Sequence, residues 1–256
     1  MKLFKIELNK YLLTKWSLIS LVLASAIFIF TMYTSINEQG IIYLVEIFIG
    51  LSYTKKLFIV AITIPLARLY VDDVNNKYLN YVINRTSIKR YSLNKVLVSF
   101  LGAFILSIGS FGIVVFIFSL IGLPIYSRID LLRLNQYSYY VDLIENGHTI
   151  FILFIYVWNY SLSVAFWNTT GLLFSSYLPN NFIPYISPFV ISYYVEEFAL
   201  KLPNMISIYS LGRSSLAFPN QPIWVNQLYV TAFFLVLTGT VGYLFYRQIK
   251  RKVPYA

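Results

Sequence analysis

The chain contains no cysteine, which excludes disulfide staples, iron–sulfur ligation and thiol nucleophiles. Its single histidine, His148, provides no cluster for a zinc site and no second imidazole for His-dependent catalysis. No Gly-x-x-x-x-Gly-Lys-Ser/Thr occurs, so the phosphate-cradling loop of a nucleotide hydrolase is missing. Charge is scarce: 12% of residues are Asp, Glu, Lys or Arg, against roughly 25% in a soluble domain. Acidic residues are fewer than basic ones, 10 against 20.

What is present is apolar. Of 256 residues, 58% are hydrophobic, and the mean hydropathy is +0.68. A span needs about 20 apolar residues to cross roughly 30 Å of hydrocarbon. Six segments read as spans: Trp16–Tyr33, Leu57–Val71, Val96–Ile121, Thr149–Ser175, Phe182–Val195 and Leu228–Tyr246. The expectation is an all-α, multi-pass protein of the cell membrane forming one transmembrane domain over residues 1–256. The second and fifth segments are short, and the fifth carries Pro184 and Pro188. The run of lysines before Trp16 is not read as a cleaved leader, because the apolar run continues to Tyr33.

The net charge of +10 would fit nucleic acid in a soluble protein, but here it follows the loops. With both termini in the cytoplasm, fourteen basic residues fall inside, among them Lys2, Lys5, Lys10, Lys15, Arg68 and Arg247. Only Lys55, Lys56, Arg128, Arg133, Lys201 and Arg213 fall outside. That asymmetry sets orientation and removes the argument for a nucleic-acid partner. Residues 1–15 read as an interfacial segment and Lys55-Lys56 as a break between an outer-surface piece and the second span. Residues 122–148 and 196–227 read as external segments, with His148 a solvated loop residue. Arg68 is expected to snorkel to the cytoplasmic interface.

The cytoplasmic stretch 72–91 carries the strongest local pattern. Tyr78, Leu79, Val82 and Ile83 share one helical face. Asp72 and Asp73 precede it where a helix start favours negative charge, and Lys89 and Arg90 follow where an end favours positive charge. Such a helix rests on the inner leaflet or docks into a groove on a cytoplasmic partner.

An acidic pair after the second span, a short helix, a basic turn (Asn84-Arg85-Thr86-Ser87-Ile88-Lys89-Arg90) and Lys95 opening the third span together resemble the permease subunit of ABC transporters of the ABC-2 type. Glu7-Leu8-Asn9-Lys10 is similar to that family's N-terminal segment. The family's usual Glu and its Pro-x-Ser-Arg turn are replaced here by Asp72-Asp73 and by Arg85 before Thr86-Ser87. The resemblance implies a coupling helix in which Tyr78, Leu79, Val82, Ile83 and Arg85 meet a separate cytoplasmic ATPase subunit, with Asp72 and Asp73 fixing its start. It also implies a second permease copy or homologue, with ATP and magnesium held by the partner; this chain would need no cofactor and hydrolyse nothing itself. The cargo implied is an amphipathic peptide of the bacteriocin or toxin type, with drugs and lipid-linked glycans as alternatives.

Polar residues within spans mark a possible route or simple interhelical bonding: Asn159, Ser163 and Asn168, with Ser161, Thr169, Thr170, Ser107 and Ser110. Gly102, Gly109 and Gly112 read as close-packing positions. Glu196-Glu197 with Lys201 has the look of an intramembrane protease motif, but no histidine follows His148, which removes that chemistry. A secondary transporter would need ionisable groups deep in the spans, and the sequence offers only Arg68. A non-transporting anchor or sensor would not need the helix at 72–91.

Overall fold

Thr14 decides how the chain enters the bundle. Its extended backbone (φ −119°, ψ 160°) ends helix α1 (Lys2–Leu12) and caps α2 (Lys15–Met32). The Thr14 hydroxyl accepts from the Ser17 N–H at 3.3 Å, and the Ser17 hydroxyl accepts from the Thr14 N–H at 3.4 Å. This capping box satisfies donors that a helix start leaves orphaned. The computed structural model describes residues 2–38, 40–50, 53–127, 140, 143 and 146–252, and among them the chain is helical with no strand. Arg128 and Arg133, expected in an external loop, lie outside the described residues.

Among the described residues, four helices are long and apolar enough to cross a membrane: α2 with its 3-10 extension to Ile36, α7 (Ile88–Leu120), α8 (Thr149–Tyr177) and α11 (Ile223–Lys252). At about 1.5 Å per residue, the 33 residues of α7 exceed the hydrocarbon thickness. Its polar first turns, up to Lys95, therefore project beyond the apolar stretch that starts at Val96.

The surface of these helices is inverted relative to a water-soluble protein. Phe30 is 84% exposed and Val236 66%, while Ser20, Ser107 and Ser161 are fully buried. The buried hydroxyls bond across helices: Ser20 donates to the Ala61 carbonyl at 2.8 Å and Ser161 to Ser107 at 3.0 Å. Polar contacts inside and large apolar side chains outside are what hydrocarbon solvent selects. At the centre, Phe28, Phe48, Phe58, Phe111 and Tyr160 interlock with ring centroids 4.4 to 6.3 Å apart, the edge-on and tilted geometry that aromatic quadrupoles favour.

The second and fifth expected spans take a different form. After α3 (Ile41–Gly50), α4 runs only Lys55–Thr63, about 14 Å of helix. Tight turns through Pro65 then replace it up to Tyr70. Both α3 and the head of α4 are buried, so residues 41–50 are not a surface piece and Lys55 and Lys56 are not in a solvated break. The fifth segment is α9 (Ile183–Ala199), 17 residues with Pro184 in its first turn and Pro188 inside. It lies so close to α8 that a Cβ on Gly171 would come within 2.8 Å of the Pro184 carbonyl oxygen. Gly102 is equally tight against Leu66, at 2.8 Å, whereas Gly112 faces open space.

Helix ends sort into two sets. Ring packing of Tyr70 on Phe245 at 5.7 Å, and the Lys252 Nζ donating to the Tyr177 carbonyl at 3.5 Å, gather the ends of α4's turn, α8 and α11. The Thr31–Thr54 hydroxyl contact at 2.6 Å and the Ile41 N–H bonded to the Pro124 carbonyl at 3.0 Å define the opposite end.

Candidate functional site

Two backbone corners shape the stretch 72–91. Asp72 and Asp73 open α5 (Val71–Asn75), a separate short helix, and do not start the next one. Lys77 then adopts left-handed geometry (φ 54°, ψ 20°) and turns the chain into α6 (Tyr78–Thr86). Ser87 (φ 106°) breaks the chain again, and its hydroxyl accepts from the Arg90 N–H at 3.4 Å to cap α7. Lys89 and Arg90 therefore sit at the start of α7, against the dipole preference expected for them; Arg85 alone holds the favoured last turn of α6.

The expected docking face divides in two. Val82 and Ile83 are buried, 6% and 3% exposed, in the chain's own core, with Leu79 packed against it. In one copy of the chain this half of the face therefore turns inward. The outward stripe is Tyr78, Tyr81 and Arg85, spaced i, i+3, i+7. The Arg85 guanidinium lies 4.4 Å over the Tyr81 ring, and the two tyrosine rings are 5.7 Å apart. Tyr81 is not on the face the sequence pattern singles out, although its spacing to Tyr78 and Arg85 marks it.

A buried ionic knot ties three helices, two of which, α5 and α7, flank α6 along the chain. The Lys95 ammonium, 2% exposed, donates to Asp73 Oδ2 at 2.8 Å and to Glu7 Oε1 at 3.0 Å. The Tyr91 hydroxyl donates to Asp73 Oδ2 at 2.8 Å, and the Asn94 amide donates to the other oxygen of Glu7. Glu7 sits on α1, Asp73 on α5, and Lys95, Tyr91 and Asn94 on α7. The corner that presents α6 is thus held by charge-assisted bonds shielded from water, where such bonds are strongest. Burial, and then the neighbouring Asp73, Asp72 and Glu7 carboxylates, push the Tyr11 phenol well above its ordinary range, so it remains a protonated donor.

A second buried cluster stands at the opposite end. Lys55 and Lys56 share Glu196 Oε2 at 3.2 and 3.1 Å. Lys55 also donates to the Ile49 carbonyl at 3.0 Å and lies 4.5 Å from the Tyr209 ring centroid. The sequence places these lysines at a break before the second span and offers Arg68 as the one charge within a span. Arg68 is exposed, whereas Lys55, Lys56 and Glu196 are buried, as Lys95, Asp73 and Glu46 are elsewhere.

The candidate route residues on α8 are buried within the bundle. Asn159 donates to the Ser214 hydroxyl at 3.1 Å and accepts from Gln227 at 2.7 Å. Asn168 donates to the Ser99 carbonyl and hydroxyl at 2.9 and 2.8 Å. Ser163 is buried where Gly212, in the short helix α10 (Ile208–Gly212), approaches α8, and Thr169 and Thr170 bond back to the Phe166 carbonyl. Within one copy of the chain they are packing contacts.

The described residues contain no group of acidic or histidine side chains arranged to hold a metal ion. No family model matches the chain, and no curated protein or solved structure matches it either.

Proposed function

We propose that the chain is the membrane subunit of an ATP-driven ABC-2-type exporter, with α6 as the element through which a cytoplasmic ATPase moves it. The observation that carries this reading is the outward stripe Tyr78, Tyr81 and Arg85 on a short helix whose two flanking helices, α5 and α7, are fastened together by the Glu7–Lys95–Asp73 knot. Tyr and Arg are the residue types that anchor interfaces, and a rigid brace transmits a push where a floppy loop would absorb it.

The wider topology belongs to the same proposal. Six crossings arise if the α4 turn segment and α9 each complete a passage beside the four long helices. Both termini and α6 then face the cytoplasm, and the Lys55–Lys56–Glu196 cluster faces outward. The basic surplus at the α6 end agrees with that orientation. Two copies of the subunit, or this chain with a homologue, enclose the route between them. The favoured cargo is an amphipathic peptide, because the exposed helix faces are apolar and aromatic; drugs and lipid-linked glycans are the alternative cargoes.

One observation favours an ion-coupled transporter instead: Lys55, Lys56 and Glu196 are buried and ionisable. Such a mechanism needs a titrating group partway along the route, and the buried polar groups midway along α7 and α8, Ser107, Ser110 and Ser161, are neutral.

Photocrosslinking from a benzoylphenylalanine at position 81 tests the proposal, and the expected adduct is a protein with a phosphate-binding loop. Tyr81→Ala is expected to weaken that partnership by about 2 kcal/mol, roughly thirtyfold, with the fold intact because Tyr81 is half exposed. Recovery of the chain alone, with no ATP hydrolysis co-purifying, refutes it.

A further inference from the structure

A cavity of about 360 Å³ opens between the α1–α2 corner, the turn after α4, α5 and the start of α9. Lys10, Tyr11, Trp16, Arg68, Asp72 and Tyr185 line it. The neighbouring charges Glu7, Asp73 and Lys95 are consumed by one another. Among the described residues, Lys10 and Arg68 take part in no ion pair, and Lys10 is held only over the Tyr11 ring at 5.4 Å. Two uncommitted cations thus converge on one recess of ligand size.

We propose that this cavity binds a phosphate ester of the kind carried by a phospholipid headgroup. The Arg68 guanidinium offers the planar fork that matches two phosphate oxygens, and Lys10 adds a point charge. The phenols of Tyr11 and Tyr185 supply neutral donors, and that of Tyr11 keeps its proton because burial and nearby carboxylates oppose ionisation. Asp72 would repel a bare phosphate but accepts from the hydroxyls of a glycerol headgroup; a choline headgroup has no donor to give it. Trp16, 53% exposed in the first turn of α2, sits where an indole marks the membrane interface. Basic recesses at that depth take lipid headgroups. The site requires only that the long apolar helices cross a bilayer, not that the chain transports anything.

The test uses the full chain in detergent, with added phosphatidylglycerol, phosphatidylcholine or inorganic phosphate, read by the thermal midpoint and by native mass spectrometry. Phosphatidylglycerol is expected to raise the midpoint and stay bound, with phosphatidylcholine much weaker. Lys10→Gln/Arg68→Gln is expected to lose about thirtyfold in affinity. Lys250→Gln/Arg251→Gln, with the same loss of charge at the exposed end of α11, is expected to bind normally. Stabilisation by inorganic phosphate alone, lost in the Lys10/Arg68 variant, assigns the same phosphate chemistry to a soluble ester. Binding unchanged in that variant, or no stabilisation by either phosphate source, overturns the site.

Discussion

Lys95→Met is expected to destabilise the protein by about 3–5 kcal/mol, a fall in thermal midpoint of roughly 10 °C for a chain of this size. Methionine keeps the length and apolar stem of the side chain. It removes the only cation within salt-bridge distance of Glu7 and Asp73 among the described residues. Both carboxylates are largely buried, and desolvation makes an unpaired charge there costly. The local consequence is specific: α1 and α5 each lose an ion pair to α7, leaving only the Asn94–Glu7 and Tyr91–Asp73 hydrogen bonds of the knot. Proteolysis near Lys10 and faster amide exchange in α5 and α6 should accompany the lower midpoint. Adding Glu7→Gln and Asp73→Asn to Lys95→Met should recover much of the loss, because a neutral network leaves no charge uncompensated. Failure of that rescue would mean Lys95 acts through packing alone.

Glu196→Gln is expected to cost a similar 3–5 kcal/mol at the other end of the bundle. The glutamine can still accept a hydrogen bond, but it leaves the Lys55 and Lys56 ammonium groups without a carboxylate. Both were within 3.2 Å of one oxygen, so they also repel each other. The Tyr209 and Tyr193 rings, 4.5 and 4.8 Å from the two ammonium groups, offset part of the cost through cation–π attraction. Glu196→Gln combined with Lys55→Met and Lys56→Met should return most of the stability, measured again by thermal midpoint. A single change at Glu197, which is exposed, should have little effect. Equal losses from Glu196→Gln and Glu197→Gln would contradict the assignment of the bridge to Glu196.

The two clusters carry opposite surpluses. The knot joining α1, α5 and α7 holds two carboxylates and one lysine, and the far cluster holds two lysines and one carboxylate. Each fastens a short helix, α5 or α4, to longer neighbours. These are the segments that residue length and apolarity alone leave weakly anchored.

Hydropathy made the four long helices legible, since 18 or more apolar residues can mean little else. It also located α9, but not how that helix is accommodated: Gly171 and the Pro184 carbonyl meet through a contact distant in sequence. Periodicity found α6 but not which side of it faces inward, because Leu79, Val82 and Ile83 look alike whether they meet a partner or the chain's own core. The corners at Lys77 and Ser87 were invisible, as neither is the glycine that such backbone angles favour. Lys55, Lys56 and Glu196 were hidden for another reason. A charge near an apolar segment reads as a boundary until its counter-ion, 140 residues away in sequence, is brought beside it.

Since the chain has no cysteine, one introduced thiol reports its own position without background. Arg85→Cys in intact cells should resist a membrane-impermeant maleimide and react only after the membrane is opened. Tyr53→Cys, exposed beside the Lys55–Lys56 end, should react from outside without that step. Labelling of the Arg85→Cys thiol in intact cells would put α6 on the wrong side of the membrane for any ATPase to grip.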